Sequence, residues 1–286
     1  MDAGNAGSSS EATCSGHEHG GDHSDAPPPP PSEPAPRFNR LLATLTGSER
    51  EPWSGARYVE LAAGEEVSAA GVTVEYVYFP VDAMVSVLGR TDGGGTAEIA
   101  LVGSEGMTGI SVFMGAADTT NAVVQTSGLA LRMAASTLSE AFNRTPSVRQ
   151  LMLRYMQVML SQAAQNVVCN RHHTVEQQLC RRLLAVMDHA RSHELNMTQE
   201  SIANFLGVRR AGINEAATRL QKLGLVRYTR GRITVLDRKG LERRTCECYV
   251  TIRNEFDRLF PTRPPERAER YGGPGLAGLA HPPRAI

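Results

Sequence analysis

The sequence predicts an α+β protein in three pieces: a strand-rich sandwich or barrel, one long helix, and a basic helix-turn-helix with a wing. Three observations carry this expectation. Short β-branched and aromatic runs alternate with Gly-, Asp- and Pro-bearing turns up to Met133. An apolar helical pattern then continues for about 24 residues, too long for a strand and too polar for a membrane. Finally, the formal net charge of zero conceals a split: residues 1–170 carry 9 Lys/Arg against 18 Asp/Glu, and residues 171–260 carry 17 against 10. A basic module that meets a polyanion follows from that asymmetry.

The 286 residues, 41% hydrophobic and 21% charged, suit a soluble chain with real cores. No apolar run approaches a membrane span, and the N-terminus has neither a basic start nor an apolar signal core, so the expected location is the cytoplasm. Five scattered cysteines, an odd count, do not make a secreted disulfide framework, and reduced thiols are the default.

Residues 1–37 mix Gly, Ser, Asp and His and end in "APPPPPSEPAP"; they are expected to be a disordered tail, as are residues 261–286. Residues 38–140 form the β piece, opening with the short helix "FNRLLATL". Its strands are "RYVEL", "TVEYVYF", "MVSVLGRT", "TAEIALV", "NAVVQT" and "LALRM", with "DGGGT" from Asp92 to Thr96 as a turn. Residues 141–171 hold the long helix, with Thr145 as N-cap and Pro146 at its first position. One row is Val148, Met152, Tyr155 and Met159; another is Leu153, Met156, Leu160 and Val167. Two apolar faces need two partners: its own β domain and, most simply, the same helix of a second subunit. A helix buried wholly in one domain is the plainer alternative.

Residues 172–260 form the basic piece. A helix-turn-helix needs a small residue where its helices cross, a glycine in the turn and a branched apolar residue in the second helix; Ala203, Gly207 and Ile213 supply them. Val208, Ala216 and Leu220 complete the apolar face, Thr198 can cap the first helix, and Glu200 suits its dipole. "VRYTRGRITVL" then reads as two strands joined through Gly231, a wing with Arg227, Arg230 and Arg232 at its tip.

In this order the pieces resemble the Crp/Fnr superfamily of bacterial transcription regulators over about Phe38 to Phe260. The stretches "VYFP", "EIALVGSEGM", "CNRHHTVEQQLCRRLL", "MTQESIANFLGVRRAGINEAATRLQKLGLVRYTRGRITVLDRKGLE" and "CECY" carry the likeness to a branch without an assigned ligand. The resemblance implies a jelly-roll of the cyclic-nucleotide-binding type, a homodimer joined along 146–170, and a twofold-related DNA site read by the helix from Gly207 to Leu220. It implies RNA polymerase and an unknown small-molecule effector as further partners, with no membrane. It places Thr198, Gln199, Arg209, Arg210, Gly212, Asn214, Glu215, Arg219, Arg227, Arg230 and Arg232 at the DNA. Arg210 stands where relatives put an arginine on guanine, Arg209 is expected on phosphate, and Ala211 replaces the glutamate of the cyclic-AMP regulators.

The departures concern the effector. Cyclic-AMP-binding relatives hold ribose and phosphate with a Gly-Glu and an Arg-Ser pair; the matching positions here are Gly109-Ile110 and Thr120-Asn121. Without the guanidinium a buried phosphate is poorly compensated, so cyclic nucleotide is not the expected effector. Arg132, between Leu131 and Met133, is expected to point to solvent. Cys14 alone cannot hold an iron-sulfur cluster, and Cys14, His17, His19 and His23 form only an adventitious metal trap. Leu241, Thr245, Cys248, Ile252, Phe256 and Leu259 share one face of a presumed helix, which makes Cys248 core; Cys246 and Cys248 stand closer than the usual chelating spacing. No metal, cofactor or catalytic constellation is expected, and the chain does not look like an enzyme. The rival function is a signalling or scaffold protein that keeps a degenerate cyclic-nucleotide-binding-like domain and does not bind DNA.

Overall fold

A computed structural model describes residues 39–45, 53, 55–190, 192–229 and 231–260. The tails, with Cys14 and its neighbouring histidines, and Arg230 at the wing tip lie outside the described residues.

The short helix α1 (Arg40–Ala43) is capped by Asn39, whose Oδ1 accepts from Leu42 N at 3.2 Å. Seven strands follow: β1 (Arg57–Leu61), β2 (Glu66–Ser68), β3 (Tyr76–Pro80), β4 (Met84–Arg90), β5 (Thr96–Val102), β6 (Asn121–Thr126) and β7 (Gly128–Ala134). They form two sheets, ordered β1-β7-β3 and β2-β6-β4-β5, with antiparallel pairing throughout. Val77, Phe79, Leu131 and Met133 of the first sheet share a buried cluster with Ala100 and Val102 of the second, which makes the two sheets a sandwich. The alternation along β7 buries Leu131 and Met133 as expected, but Arg132 does not stand free: its guanidinium lies over the Tyr76 ring, 4.5 Å from the centroid.

α2 (Ala135–Arg144) leads to α3 (Pro146–His172), 27 residues or about 40 Å at 1.5 Å per residue. Pro146 occupies the first turn, where its missing N–H costs nothing; the Thr145 side chain makes no capping bond. The row Val148, Met152, Tyr155 and Met159 is buried against the β domain, and the Tyr155 hydroxyl donates to Met107 O at 2.7 Å. The second row behaves differently: Leu153 is 51%, Leu160 66% and Val167 70% exposed. A helix wholly enclosed in one domain is thereby excluded.

Beyond α3 come α4 (Val175–Ala190), β8 (Glu194–Asn196), α5 (Gln199–Leu206), α6 (Arg210–Lys222), β9 (Val226–Thr229), β10 (Arg232–Val235), α7 (Arg238–Arg244) and α8 (Cys248–Leu259). α4 to α7 surround one core with Leu183, Ile202, Ile213, Leu220 and Ile233 inside. The helix expected to run through Leu241 to Leu259 is two helices, broken at Thr245 to Glu247, so Leu241 and Cys248 do not share a helix face. α8 then turns back along α3, and Phe256 and Phe260 join the core of the β domain. β5 also touches the basic piece: Thr96 Oγ1 donates to Asn204 O at 3.1 Å, and the backbone of Gly207 lies against Thr96 and Ala97.

Candidate nucleic-acid interface

Thr198 starts α5 with a reciprocal cap: its Oγ1 accepts from Ser201 N at 3.0 Å, and Thr198 N donates to Ser201 Oγ at 3.1 Å. Gly207 ends α5 with φ 64° and ψ 31°, the left-handed conformation that a side chain resists, and Val208 N closes the turn on Ala203 O at 3.0 Å. Ala203 and Ile213 are buried where the two helices cross. The turn therefore fixes the direction of α6.

That direction matters because of what stands at the start of α6. Arg209 is the N-cap residue and Arg210 the first helical residue; both are exposed, and neither side chain has an ion-pair or hydrogen-bond partner among the described residues. No acid lies in the first turn. Cations at a helix N-terminus oppose its dipole, so this arrangement costs stability unless an external anion neutralises it. Ile213, Ala216, Ala217 and Leu220 turn inward, and Asn214, Glu215 and Arg219 remain outside. Asn214 Oδ1 accepts from Gln199 Nε2 at 3.2 Å, while Arg219 pairs with Glu215 one turn earlier. Gly212 leans inward: a methyl group there would meet Val175 at 3.7 Å.

The wing is the β9–β10 hairpin, turned through Gly231 at φ 82°. A third strand, β8, pairs with β10 on its other side; three residues are too short for the alternation that betrays a strand in sequence. Arg227 and Arg232 are exposed, and Arg232 lies 3.5 Å from Glu194. Tyr228 ties the wing to α5 by accepting from Gln199 N at 2.9 Å.

The four positions matched to a nucleotide pocket are taken up by contacts within the β domain. Gly109, at φ 81°, sits beside Val74 and Val77, and Ile110 packs on the β-domain core. Thr120 Oγ1 donates to Asp118 at 2.9 Å, and Asn121 donates to Glu66. A cavity of about 400 Å³ lies elsewhere, between the β domain, α3, α4 and α8, lined by Glu98, Glu105, Arg181, Arg182, His189 and Arg238 among others. Sequence reading did not anticipate this junction. At its buried edge Arg182 pairs with Glu98 and bonds to Gln125, and Arg181 Nη1 donates to Asn166 Oδ1 at 2.8 Å. A second unanticipated group, Cys169, His173, Cys246 and Cys248, collects at the far end of α3.

A helix-turn-helix with a wing, carried on a long helix behind a β sandwich, is the arrangement seen in solved structures of Crp/Fnr-type regulators. Residues 177–244 match the family model of the Crp-like helix-turn-helix domain. The whole fold is similar to solved structures at low identity. A Eubacterium rectale protein assigned to the Crp/Fnr family is 18% identical with a TM-score of 0.59, over 72% of this chain and 98% of that one. FixK2 from Bradyrhizobium japonicum is 16% identical at 0.55, over 67% and 98%. The c-di-GMP-responsive global regulator CLP of Xanthomonas campestris is 14% identical at 0.55, over 66% and 99%. No curated protein matches the sequence. The chain thus has the Crp/Fnr transcription-regulator fold and a Crp-like helix-turn-helix domain, and no helix among the described residues is long and apolar enough to cross a membrane.

Proposed function

We propose that the protein is a homodimeric transcription regulator that reads a twofold-related DNA site and does not take cyclic nucleotide as its effector. The observation that carries this reading is the exposed pair Arg209 and Arg210 at the start of α6, without a partner among the described residues. Arg210 reaches base edges, Arg209 grips phosphate, and Arg227, Arg230 and Arg232 add phosphate contacts through the wing. Leu153, Leu160 and Val167 recur at intervals of seven along the exposed face of α3, the period of a coiled-coil seam, and supply the dimer contact. RNA polymerase is the partner through which such a dimer acts on transcription.

The effector reading rests on charge. Asp118 and Glu66 hold Thr120 and Asn121 where a cyclic phosphate needs a guanidinium, and an arginine missing from such a pair weakens binding by about 3 to 5 kcal/mol. Calorimetric titration with cyclic AMP is therefore expected to show no micromolar site. The DNA reading is tested by anisotropy with site-bearing and random duplexes at rising salt. A protein with 6 to 10 phosphate contacts loses about 10³- to 10⁵-fold in affinity between about 50 and about 200 mM salt. Affinity indifferent to salt would instead favour the scaffold reading. Leu160→Asp places a charge in the seam and should yield monomers in sedimentation; an unchanged dimer would remove the seam from the proposal.

A further inference from the structure

Three thiols and an imidazole that the DNA-reading proposal does not use meet where α3 ends. Cys169 lies in the last turn of α3, and His173 is its C-cap residue with φ −107° and ψ 150°. Cys246 lies within the break between α7 and α8, and Cys248 is the first residue of α8. The three cysteines form a buried cluster of their own, apart from the aliphatic cores.

The geometry is that of a coordination shell. The three Sγ atoms and a His173 ring nitrogen all lie within 4.8 Å of one another. Cys169 Sγ stands 3.6 Å from Cys246 Sγ, and Cys248 Sγ stands 3.4 Å from His173 Nδ1. Tetrahedral bonds of about 2.3 Å to sulfur and about 2.0 Å to nitrogen give edges of about 3.8 Å between two sulfurs and about 3.5 Å between sulfur and nitrogen. Two ligand pairs therefore already stand near these edges and all separations lie within 4.8 Å, too close together to span an iron-sulfur cluster.

The surroundings fit as well. His173 turns Nδ1 to the thiols and Nε2 to Glu247 Oε1, 3.2 Å away, the carboxylate–imidazole arrangement that orients metal-bound histidines. Gln165 Nε2 donates to Cys248 Sγ at 3.0 Å, and Gln178 Nε2 donates to His173 O at 2.9 Å. A hydrogen bond to sulfur favours thiolate over thiol, and the glutamine contact to the His173 carbonyl fixes the backbone that carries the imidazole.

We propose that Cys169, His173, Cys246 and Cys248 form a closed four-coordinate site for a single zinc ion. Three thiolates and one imidazole select a soft or borderline ion, and four protein ligands without an open position make the site structural rather than catalytic. Its effect is mechanical. The ion ties the end of α3 to the α7–α8 break, and so fixes the angle at which α4 and the basic piece leave the long helix. This assignment is independent of what α6 reads.

The test uses the full-length chain carrying Cys14→Ser, His17→Ala, His19→Ala and His23→Ala, which removes the tail as a competing trap. Metal analysis after exchange into reducing, metal-free buffer should return one zinc per chain. Cobalt in its place should give the strong visible bands of a tetrahedral ion with thiolate-to-cobalt charge transfer. Cys246→Ser and His173→Ala should lose the tightly held zinc, His173→Cys should retain it, and Glu247→Gln should weaken zinc affinity about 10- to 100-fold. Cys180→Ala, a buried cysteine outside the cluster, should leave the metal content unchanged. If the single variants unfold, the cobalt spectrum of the tail variant still decides. Absence of tightly held zinc and of a tetrahedral cobalt spectrum overturns the proposal. So does iron in place of zinc, or a Cys169–Cys246 disulfide in protein purified with its thiols trapped.

Discussion

Two pairs of adjacent arginines, Arg181-Arg182 in "CRRLL" and Arg209-Arg210 in "VRRAG", look alike in the sequence and have opposite fates in the fold. The first pair is buried in α4, where Arg182 meets Glu98 of β5 and Arg181 meets Asn166 of α3. The second is exposed at the start of α6 with no partner among the described residues. Burying a guanidinium is tolerable only when the fold supplies its counter-charge, so the first pair belongs to the architecture. An exposed pair placed against a helix dipole adds nothing to the fold and is free to meet an anion from outside, as the proposed function requires. Partnership within the chain, rather than charge as such, separates the junction from the start of α6.

The largest expected effect comes from breaking the inner pair. Burial pushes the Arg182 guanidinium below its ordinary pKa, despite Glu98 beside it, so desolvation is not fully offset. Glu98→Ala leaves that charge buried alone and should cost about 3 to 5 kcal/mol in denaturant unfolding. Replacing both partners, Glu98→Gln with Arg182→Met, removes the orphaned charge and should recover most of the loss. A double variant no more stable than the single one would mean that the pair contributes net stability to the junction.

The outer pair should respond in the opposite way. Arg210→Ala is expected to leave the melting temperature unchanged or slightly raised, since a cation at a helix N-terminus is removed. At the same time it should narrow the ratio of specific to random DNA affinity by about 1 to 3 kcal/mol. Arg209→Ala should weaken both duplexes equally and flatten the salt dependence by about one phosphate contact. A stability loss at Arg210 comparable to that of Glu98→Ala would erase the distinction between the two pairs.

The contrast also explains what was legible in the sequence. Strands such as β4, β5 and β7 announce themselves by alternation, and the turn at Gly207 by the spacing of Ala203, Gly207 and Ile213, because these signals are local. β2 and β8, three residues each, carry no period to read. The break at Thr245 was hidden because apolar residues from Leu241 to Leu259 keep helical spacing across it, with no glycine or proline to mark the stop. The buried role of Arg182 and the cysteine cluster depend on contacts across 84 and 77 positions, which no local pattern encodes. The helix-turn-helix was legible because its signals lie along one stretch of chain, and the junction was missed because its chemistry is shared among several elements.

Between the two arginine pairs lies an intermediate case, the partly enclosed His189–Glu105 pair, whose Nδ1 and Oε2 stand 2.8 Å apart beside the same cavity. Burial disfavours the charge on His189, but the Glu105 carboxylate outweighs it, with help from Asp188 and against Arg182, and the net shift is upward from 6.5. Glu105 is shifted downward from 4.5, where burial is overcome by His189 and by hydrogen bonds from the imidazole and from Gly103 N. A raised histidine gives its full stabilisation below 6.5 and loses it as pH rises through the higher folded value. A lowered carboxylate gives its full stabilisation above 4.5 and loses it as pH falls through the lower one. The pair is thus complete between those two values and should fade on the alkaline side. Melting temperatures measured between about pH 5 and about pH 8 should decline with rising pH in the native chain and decline less in His189→Gln. The difference is expected within about 1 kcal/mol, the range of partly exposed pairs, and so is the smallest of the three effects. Gly103→Ala offers an independent probe, because a methyl group there would stand 2.6 Å from His189 Nδ1 and push the ring off Glu105. If Gly103→Ala keeps the full alkaline decline, the titrating contact is not the one between His189 and Glu105.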